Sequence, residues 1–415
     1  MAKILERAGI DMVRDFVLEK AGKMAADMTH KPDPFWKGLR DAGTELWLDT
    51  GDMDAAAKLW TDEFSGLTTN NTLLNKEVQK GIYDQVIREA GELLKDLDPE
   101  TRVVEVAFIL NALHGLRLVK SFRAKVSVEL HTATAHDAET AAAYGRRFAA
   151  ISSDSFIVKV PLTAAGLIAT RALRTEGIPV NFTLGFSARQ NHVAAAFAFP
   201  SYVNVFLGRL NAYVSDNALG DGLMVGEKAT LASQREMKDL SARTGRKTLQ
   251  IAASIRDGTQ VEALAGVDVM TIPVGAVSDA HARLSGKWES RVGRNYEVRL
   301  APGVDEAKLR LSVLWDVTEP EKELGRSLNA NPPHTAEELM ARARRLGAGD
   351  MFMQVAAGEA DQIAREGKIP KHGSWAKRIA AGDTAADTLL NLAGLASFTA
   401  DQKALDDRVR GLVSR

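Results

Sequence analysis

Along the middle of the chain, short runs of apolar and β-branched residues alternate with longer segments whose apolar positions recur at helical spacing. Eight runs read as strands: "LWLDT" (46 to 50), "GLTTN" (66 to 70), "AKVSVEL" (124 to 130), "FIVKVP" (156 to 161), "PVNFTL" (179 to 184), "YVNVFLG" (202 to 208), "LQIAAS" (249 to 254) and "DVMTIP" (268 to 273). Between them lie segments such as "DAETAAAYGRRFAAI" and "SARQNHVAAAFAF", alanine-rich and amphipathic, as helices covering a sheet from outside are. This alternation predicts βα units around a parallel sheet. Eight units over about 250 residues match the size of a (β/α)8, or TIM, barrel. A doubly wound open sheet is the competing α/β architecture, but it usually has fewer strands, and no G-x-G-x-x-G follows the first run.

The barrel is expected over residues 41–317. Residues 1–40 read as an N-terminal helical extension with a "KPDP" linker, and 318–415 as a C-terminal helical addition whose last helix spans about 396–415. Thr335 and Glu338 within that addition have capping-box spacing, and "GKIPKHGSWAK" reads as loop.

Composition then narrows the function classes. Hydrophobic residues at 45% and charged ones at 26% describe a globular protein. With 53 Lys and Arg against 54 Asp and Glu, no global basic field recruits nucleic acid or an acidic membrane, so any anion site must be local. The absence of cysteine removes disulfides, thiolate catalysis and thiolate metal sites, and fits a reducing compartment. No run approaches the roughly 18 uncharged apolar residues of a membrane helix, and the N-terminus lacks the apolar core of a signal peptide. The expected location is the cytoplasm.

A barrel places its chemistry at the C-terminal ends of its strands, so polar residues late in a strand matter most. They are Asp49, Asn70, Glu129, Lys159, Asn181 with Thr183, and Asn204, followed by Arg209 and Arg256 just past the sixth and seventh strands. Lys159 interrupts an apolar run. It is either a buried partner of Glu129 or a nucleophilic amine, because desolvation disfavours the ammonium form and leaves an amine able to attack a carbonyl. Asp49 suits a turn or helix cap as well as a general base, and Glu129 suits a surface position as well as a proton shuttle. Arg209 and Arg256 are the natural pair for a phosphate, since guanidinium forks bind its oxygens bidentately. His131 and His136 lack metal-ligand spacing and read as loop or helix-start residues; no metal is expected.

These residues resemble the transaldolase family, within the class I Schiff-base aldolases. "FIVKVPLTAAGLIATRAL" looks like its Schiff-base segment and "GLTTNNTLL" is similar to its T-T-N-P-S-L motif. "GIPVNFTLGFS" resembles N-x-T-L-x-F-S, "YVNVFLGR" resembles S-P-F-V-G-R, "IAASIR" resembles A-S-x-R, and "FTADQKALDDRV" resembles the terminal helix that closes over the site. The resemblance implies that Lys159 forms an imine with the C2 ketone of a ketose phosphate, such as sedoheptulose 7-phosphate or fructose 6-phosphate. It implies that Asp49 takes the C4 hydroxyl proton, that Glu129 with Thr183 positions the catalytic water, and that Asn70 and Asn181 hold the dihydroxyacetone unit. Asn204, Phe206 and Ser254 would line the substrate, and Arg209 and Arg256 would meet the phosphate. No cofactor is implied, because the iminium is the electron sink. Phe206 favours transfer to an aldose phosphate, in the pentose phosphate pathway, over simple aldol cleavage, for which relatives carry a water-orienting Tyr.

Three features depart from the family pattern. Its Pro after T-T-N is Asn71 here, its Ser and Pro before F-V-G-R are Asn204 and Val205, and residues 318–395 have no counterpart. That region reads as a passive structural extension, with an oligomerisation surface for a homo-oligomer, a lid or a partner-binding module as the other readings. A Schiff-base aldolase of altered specificity and a non-catalytic barrel are the alternative functions.

Overall fold

In the computed structural model, which describes residues 5–24 and 28–413, each of the eight runs forms a strand. They are β1 (Glu45–Asp49), β2 (Phe64–Thr68), β3 (Lys125–Glu129), β4 (Phe156–Pro161), β5 (Val180–Thr183), β6 (Tyr202–Phe206), β7 (Leu249–Ala253) and β8 (Val269–Pro273). Each pairs in parallel with the next and β8 pairs with β1, closing the barrel. Every residue of β4, β5 and β6 is buried, because helices cover one face and the barrel interior the other. Side-chain caps turn strands into helices within a few residues: Asp137, Thr163 and Ser187 each accept a backbone N–H at the start of Ala138–Ile151, Ala164–Thr175 and Ala188–Ala198.

Two strands stop two residues before the ends of their apolar runs. β2 stops at Thr68, because Asn70 caps the helix Asn71–Gln79, its Oδ1 accepting from the Leu73 N–H at 2.8 Å. β6 stops at Phe206, where the chain enters the helix Leu207–Asp216, so Arg209 sits in that helix's first turn. Gly208 permits the arrangement: a Cβ there would stand 2.3 Å from Ser254 O and 2.7 Å from Arg256 Nε.

Strand register brings the polar groups together. Glu129 on β3 is the lateral partner of Lys159 on β4, which is the partner of Asn181 on β5. Acid, amine and amide therefore lie side by side on neighbouring strands.

Helix Arg7–Met24 buries Val13, Val17 and Ala21 and packs against Pro99–Phe122. After the barrel come helices Glu319–Ala330, Ala336–Arg345, Ala357–Glu366 and His372–Ala381, then the long helix Ala386–Val413, which starts ahead of residue 396. Among the described residues, no helix is long and apolar enough to cross a membrane.

A buried ionic cluster joins these additions to the barrel. Arg189, in the helix after β5, binds Asp387 through Nε and Nη2, both at 2.9 Å, and its Nη1 meets Asp350 at 3.0 Å and Glu321 at 3.4 Å. Ser187 Oγ donates to Asp387 and Arg310 Nη2 to Asp350. Burial opposes ionisation of Asp387, but the Arg189 charge and its hydrogen bonds outweigh it and hold the carboxyl below the ordinary range. Replacing Arg189 with Met is expected to cost roughly 3–5 kcal/mol in urea unfolding at neutral pH, because three carboxylates lose their shared cation. An Asp with a lowered native pKa contributes stability above its unfolded pKa and loses it as pH falls through the native one. The gap between wild type and Arg189→Met should accordingly narrow in acid below about pH 4, and a gap that is small at pH 7 would contradict this account.

Candidate active site

A cavity of about 320 Å³ opens at the C-terminal ends of the strands. Eight of the residues singled out from sequence line it: Asp49, Asn70, Lys159, Asn204, Phe206, Arg209, Ser254 and Arg256. Glu129, Asn181 and Thr183 do not line it; they stand behind residues that do.

Lys159 is buried, and its Nζ donates to Thr69 O at 3.2 Å and lies 4.0 Å from Glu129 Oε1. The Phe398 ring, from the last helix, lies 5.8 Å from Nζ. Glu129 is held in turn by the backbone N–H of Asn71, which donates to its Oε2 at 3.1 Å. Asn71 is the first residue of its helix, so this N–H has no intrahelical acceptor and is available to the carboxylate. A proline at that position would have no hydrogen to give.

Both carboxyls are pushed above the ordinary range, chiefly by burial. For Asp49, Lys159, the hydroxyl of Thr68 at 2.7 Å and Arg256 act in the opposite sense. For Glu129, Lys159, the Asn71 N–H and Arg209 oppose burial, while Asp49 adds to it.

Behind the cavity runs an amide ladder. Asn204 Nδ2 donates to Asn181 Oδ1 at 2.5 Å and to Phe182 O at 3.0 Å, and Asn181 Nδ2 donates to Ser127 Oγ at 2.9 Å. With both Nδ2 hydrogens committed, Asn204 has only its carbonyl oxygen to present to the cavity. The Thr183 hydroxyl is buried with no hydrogen-bond partner among the described residues. Ser254 adopts φ 63° and Leu184 φ 65°, left-handed conformations at the ends of β7 and β5 where the chain turns at the rim.

The rest of the lining is rich in cations. Arg209 is buried between the rings of Phe206 and Phe398, at 5.4 and 5.8 Å, and among the described residues its Nη1 has no hydrogen-bond partner. Burial, reinforced by Arg256, pushes Arg209 down to about 10.

The lining also includes residues that sequence reasoning passed over, among them Thr68, Lys76, Thr271, Lys368 and Phe398. Thr68 was open to discovery, since it falls in the quoted "GLTTN" run at the strand's end. Lys368 was not, because a loop residue more than a hundred positions past Arg256 reveals its place only in the folded chain. His131 packs against Asp406 at 3.2 Å, and among the described residues no cluster of three or more His, Asp or Glu could hold a metal ion.

A closed parallel barrel with a buried amine, two carboxyls and an arginine pair at its C-terminal mouth defines a (β/α)8 protein with its polar site where such barrels carry one. Residues 46–300 match the family described as Transaldolase/Fructose-6-phosphate aldolase, and the chain belongs to that family. A transaldolase of Xanthomonas campestris pv. campestris (strain B100) is 33% identical over 244 residues, 56% of this chain and 74% of that protein. A transaldolase of Rhizobium leguminosarum bv. trifolii (strain WSM2304) is 30% identical over 306 residues, 71% of this chain and 91% of its own. The protein is an enzyme of aldehyde or ketone group transfer.

The Asn71 contact can be tested directly. Asn70 has extended backbone, which tolerates a following proline, and the first helical position suits proline. Asn71→Pro should therefore fold. It removes a hydrogen bond that favours the ionised form, so the Glu129 carboxyl should titrate at still higher pH in a ¹³C-carboxyl NMR titration. An unmoved Glu129 resonance would show that the N–H does not govern it.

Proposed function

We propose that the protein transfers a dihydroxyacetone unit between sugar phosphates through an imine on Lys159. The observation that carries this reading is the placement of the Lys159 amine at the cavity wall, in lateral register with Glu129 and sharing the cavity with Asp49. In this reading Lys159 adds to the C2 ketone of a ketose phosphate, and the resulting hydroxyl leaves as water with a proton relayed from Glu129. The unpartnered Thr183 hydroxyl suits a second contact to that water. Asp49, as carboxylate, removes the O4 proton; the C3–C4 pair flows to the iminium nitrogen, releasing an aldose phosphate and leaving an enamine. The enamine carbon then attacks the aldehyde of an acceptor, Asp49 returns its proton, and hydrolysis frees Lys159.

Asn70 and the Asn204 carbonyl are placed to meet substrate hydroxyls, with Asn181 holding Asn204 in position. Arg209, Arg256 and Ser254 take the phosphate. Phe206 presents an apolar ring, packed 5.6 Å from Phe186, where a hydroxyl would hold water against the enamine. That favours transfer over hydrolytic release. The metabolic setting we assign is the non-oxidative pentose phosphate pathway in the cytoplasm.

Borohydride reduction with fructose 6-phosphate should add one ketose-derived mass to the wild type and none to Lys159→Ala; an adduct that survives the substitution would refute the mechanism. Product from fructose 6-phosphate should accumulate only when erythrose 4-phosphate is present, and acceptor-independent glyceraldehyde 3-phosphate release would make the protein an aldolase instead. Asp49→Asn should lower kcat by roughly 10²–10⁴-fold, the usual contribution of a general base. Because burial raises Asp49, the base is lost to protonation as pH falls through its raised value. The acid limb of kcat/KM should therefore lie above the ordinary carboxylate range of about 4, and a limb at or below it would exclude Asp49 as the base.

A further inference from the structure

We infer that the C-terminal addition completes the phosphate site: Lys368, on the loop between helices Ala357–Glu366 and His372–Ala381, joins Lys76, Arg209 and Arg256 in binding the terminal phosphate of the substrate. This rests on the reading of the cavity as a sugar-phosphate site and extends it to a part of the chain outside the region that matches the family.

Four cations and a single carboxylate, Asp49, line the cavity besides Lys159. Among the described residues, none of the four makes a hydrogen bond or ion pair to a carboxylate. The contrast within one helix is direct. Lys80, one turn beyond Lys76, bridges Glu77 at 2.7 Å and Asp52 at 2.9 Å, whereas Lys76 points to the cavity unpaired. Asp401, whose charge opposes the lowering of the Lys368 pKa, makes no ion pair with it among the described residues. Like charges gathered without counter-ions repel one another, and a fold that keeps them together has an anion to receive.

The placement of Lys368 is built into the fold. Its loop is fastened to the helix that carries Arg209. Asn217, at the end of that helix, donates to Pro370 O at 3.0 Å and accepts from His372 N–H at 2.8 Å, and Tyr213 pairs with His372 Nδ1 at 2.9 Å. The Lys371 N–H closes the loop on Glu366 at 2.9 Å. Burial lowers the Lys368 pKa, and the charge of Arg209 adds to the effect, as expected of an amine held among cations. A phosphate dianion spreads its charge over three oxygens and accepts several charge-assisted donors. Two guanidinium forks with two ammonium groups on the solvent side supply them.

The test is calorimetric titration of the full chain with inorganic phosphate at low salt. Lys368→Ala should weaken phosphate binding about tenfold, the effect of one charge-assisted hydrogen bond, and Lys368→Arg should restore most of it. Lys403→Ala, which removes an exposed lysine of the last helix paired with Asp407, should leave binding unchanged. Wild-type affinity in Lys368→Ala, or an equal loss in Lys403→Ala, would overturn the proposal. Borohydride labelling with dihydroxyacetone, which carries no phosphate, separates it from the catalytic reading. Labelling of Lys159 with phosphate binding indifferent to Lys368 sinks this inference alone; weakened phosphate binding without labelling in the wild type upholds this site and sinks the catalytic reading.

Discussion

Arg189 is the interaction on which the roof of the site depends. One guanidinium gathers carboxylates from helix Glu319–Ala330, from the turn at Gly349–Phe352 and from the last helix, and all lie out of water. A buried charge pair seldom adds net stability over well-packed apolar residues, so its value here is geometric. It allows one docking of the C-terminal segments on the helix after β5, since any other leaves an ion desolvated without its partner. From that point the last helix runs across the mouth. Asn391 donates to Leu162 O at 3.0 Å and Leu184 O at 2.9 Å, capping loop carbonyls past β4 and β5, and Phe398 then falls beside Lys159 and Arg209.

The same desolvation that makes the Arg189 cluster selective also acts on the carboxyls of the barrel mouth. Burial raises Asp49 and Glu129 above the ordinary carboxylate range, and Lys159 acts in the opposite sense on both. The Asn71 N–H, aimed at Glu129, biases that balance toward the carboxylate. What looks like the loss of a turn-setting proline is, in the folded chain, the gain of one backbone donor at a titrating group.

Much of this was legible in the chain. All eight strands were visible from period and β-branching, and Lys159 stood out because an amine contradicts its apolar surroundings. The misreadings came where side chains compete with backbone. Asn70 looked like the end of β2 because "GLTTN" carries β-rich residues to its last position, yet its short amide is better used capping the next helix. The run through Gly208 looked like strand because apolar residues of a buried helix start and of a buried strand have the same pattern over so short a span. Lateral order was less visible still. Alternation says that Asn181 and Asn204 are on buried strands, but only the folded chain shows that one supports the other and that, of the two, Asn204 reaches the cavity.

The addition at residues 318–395 illustrates the deeper limit. Local pattern declares it helical and polar, which is what a passive extension would look like, and nothing in "GKIPKHGSWAK" distinguishes Lys368 from any solvated lysine. Its meaning comes from Asn217 and Tyr213, more than 150 positions earlier, which fasten its loop to the helix bearing Arg209. Charge near a site is informative only relative to its counter-ions, and pairing is a property of the folded chain. Lys80 and Lys76 are chemically identical and one turn apart, but only one of them is satisfied. Cations gathered along one cavity without ion-pair partners are a statement about the ligand, and the place of Lys368 among them shifts the C-terminal addition from scaffold toward the wall of the binding site.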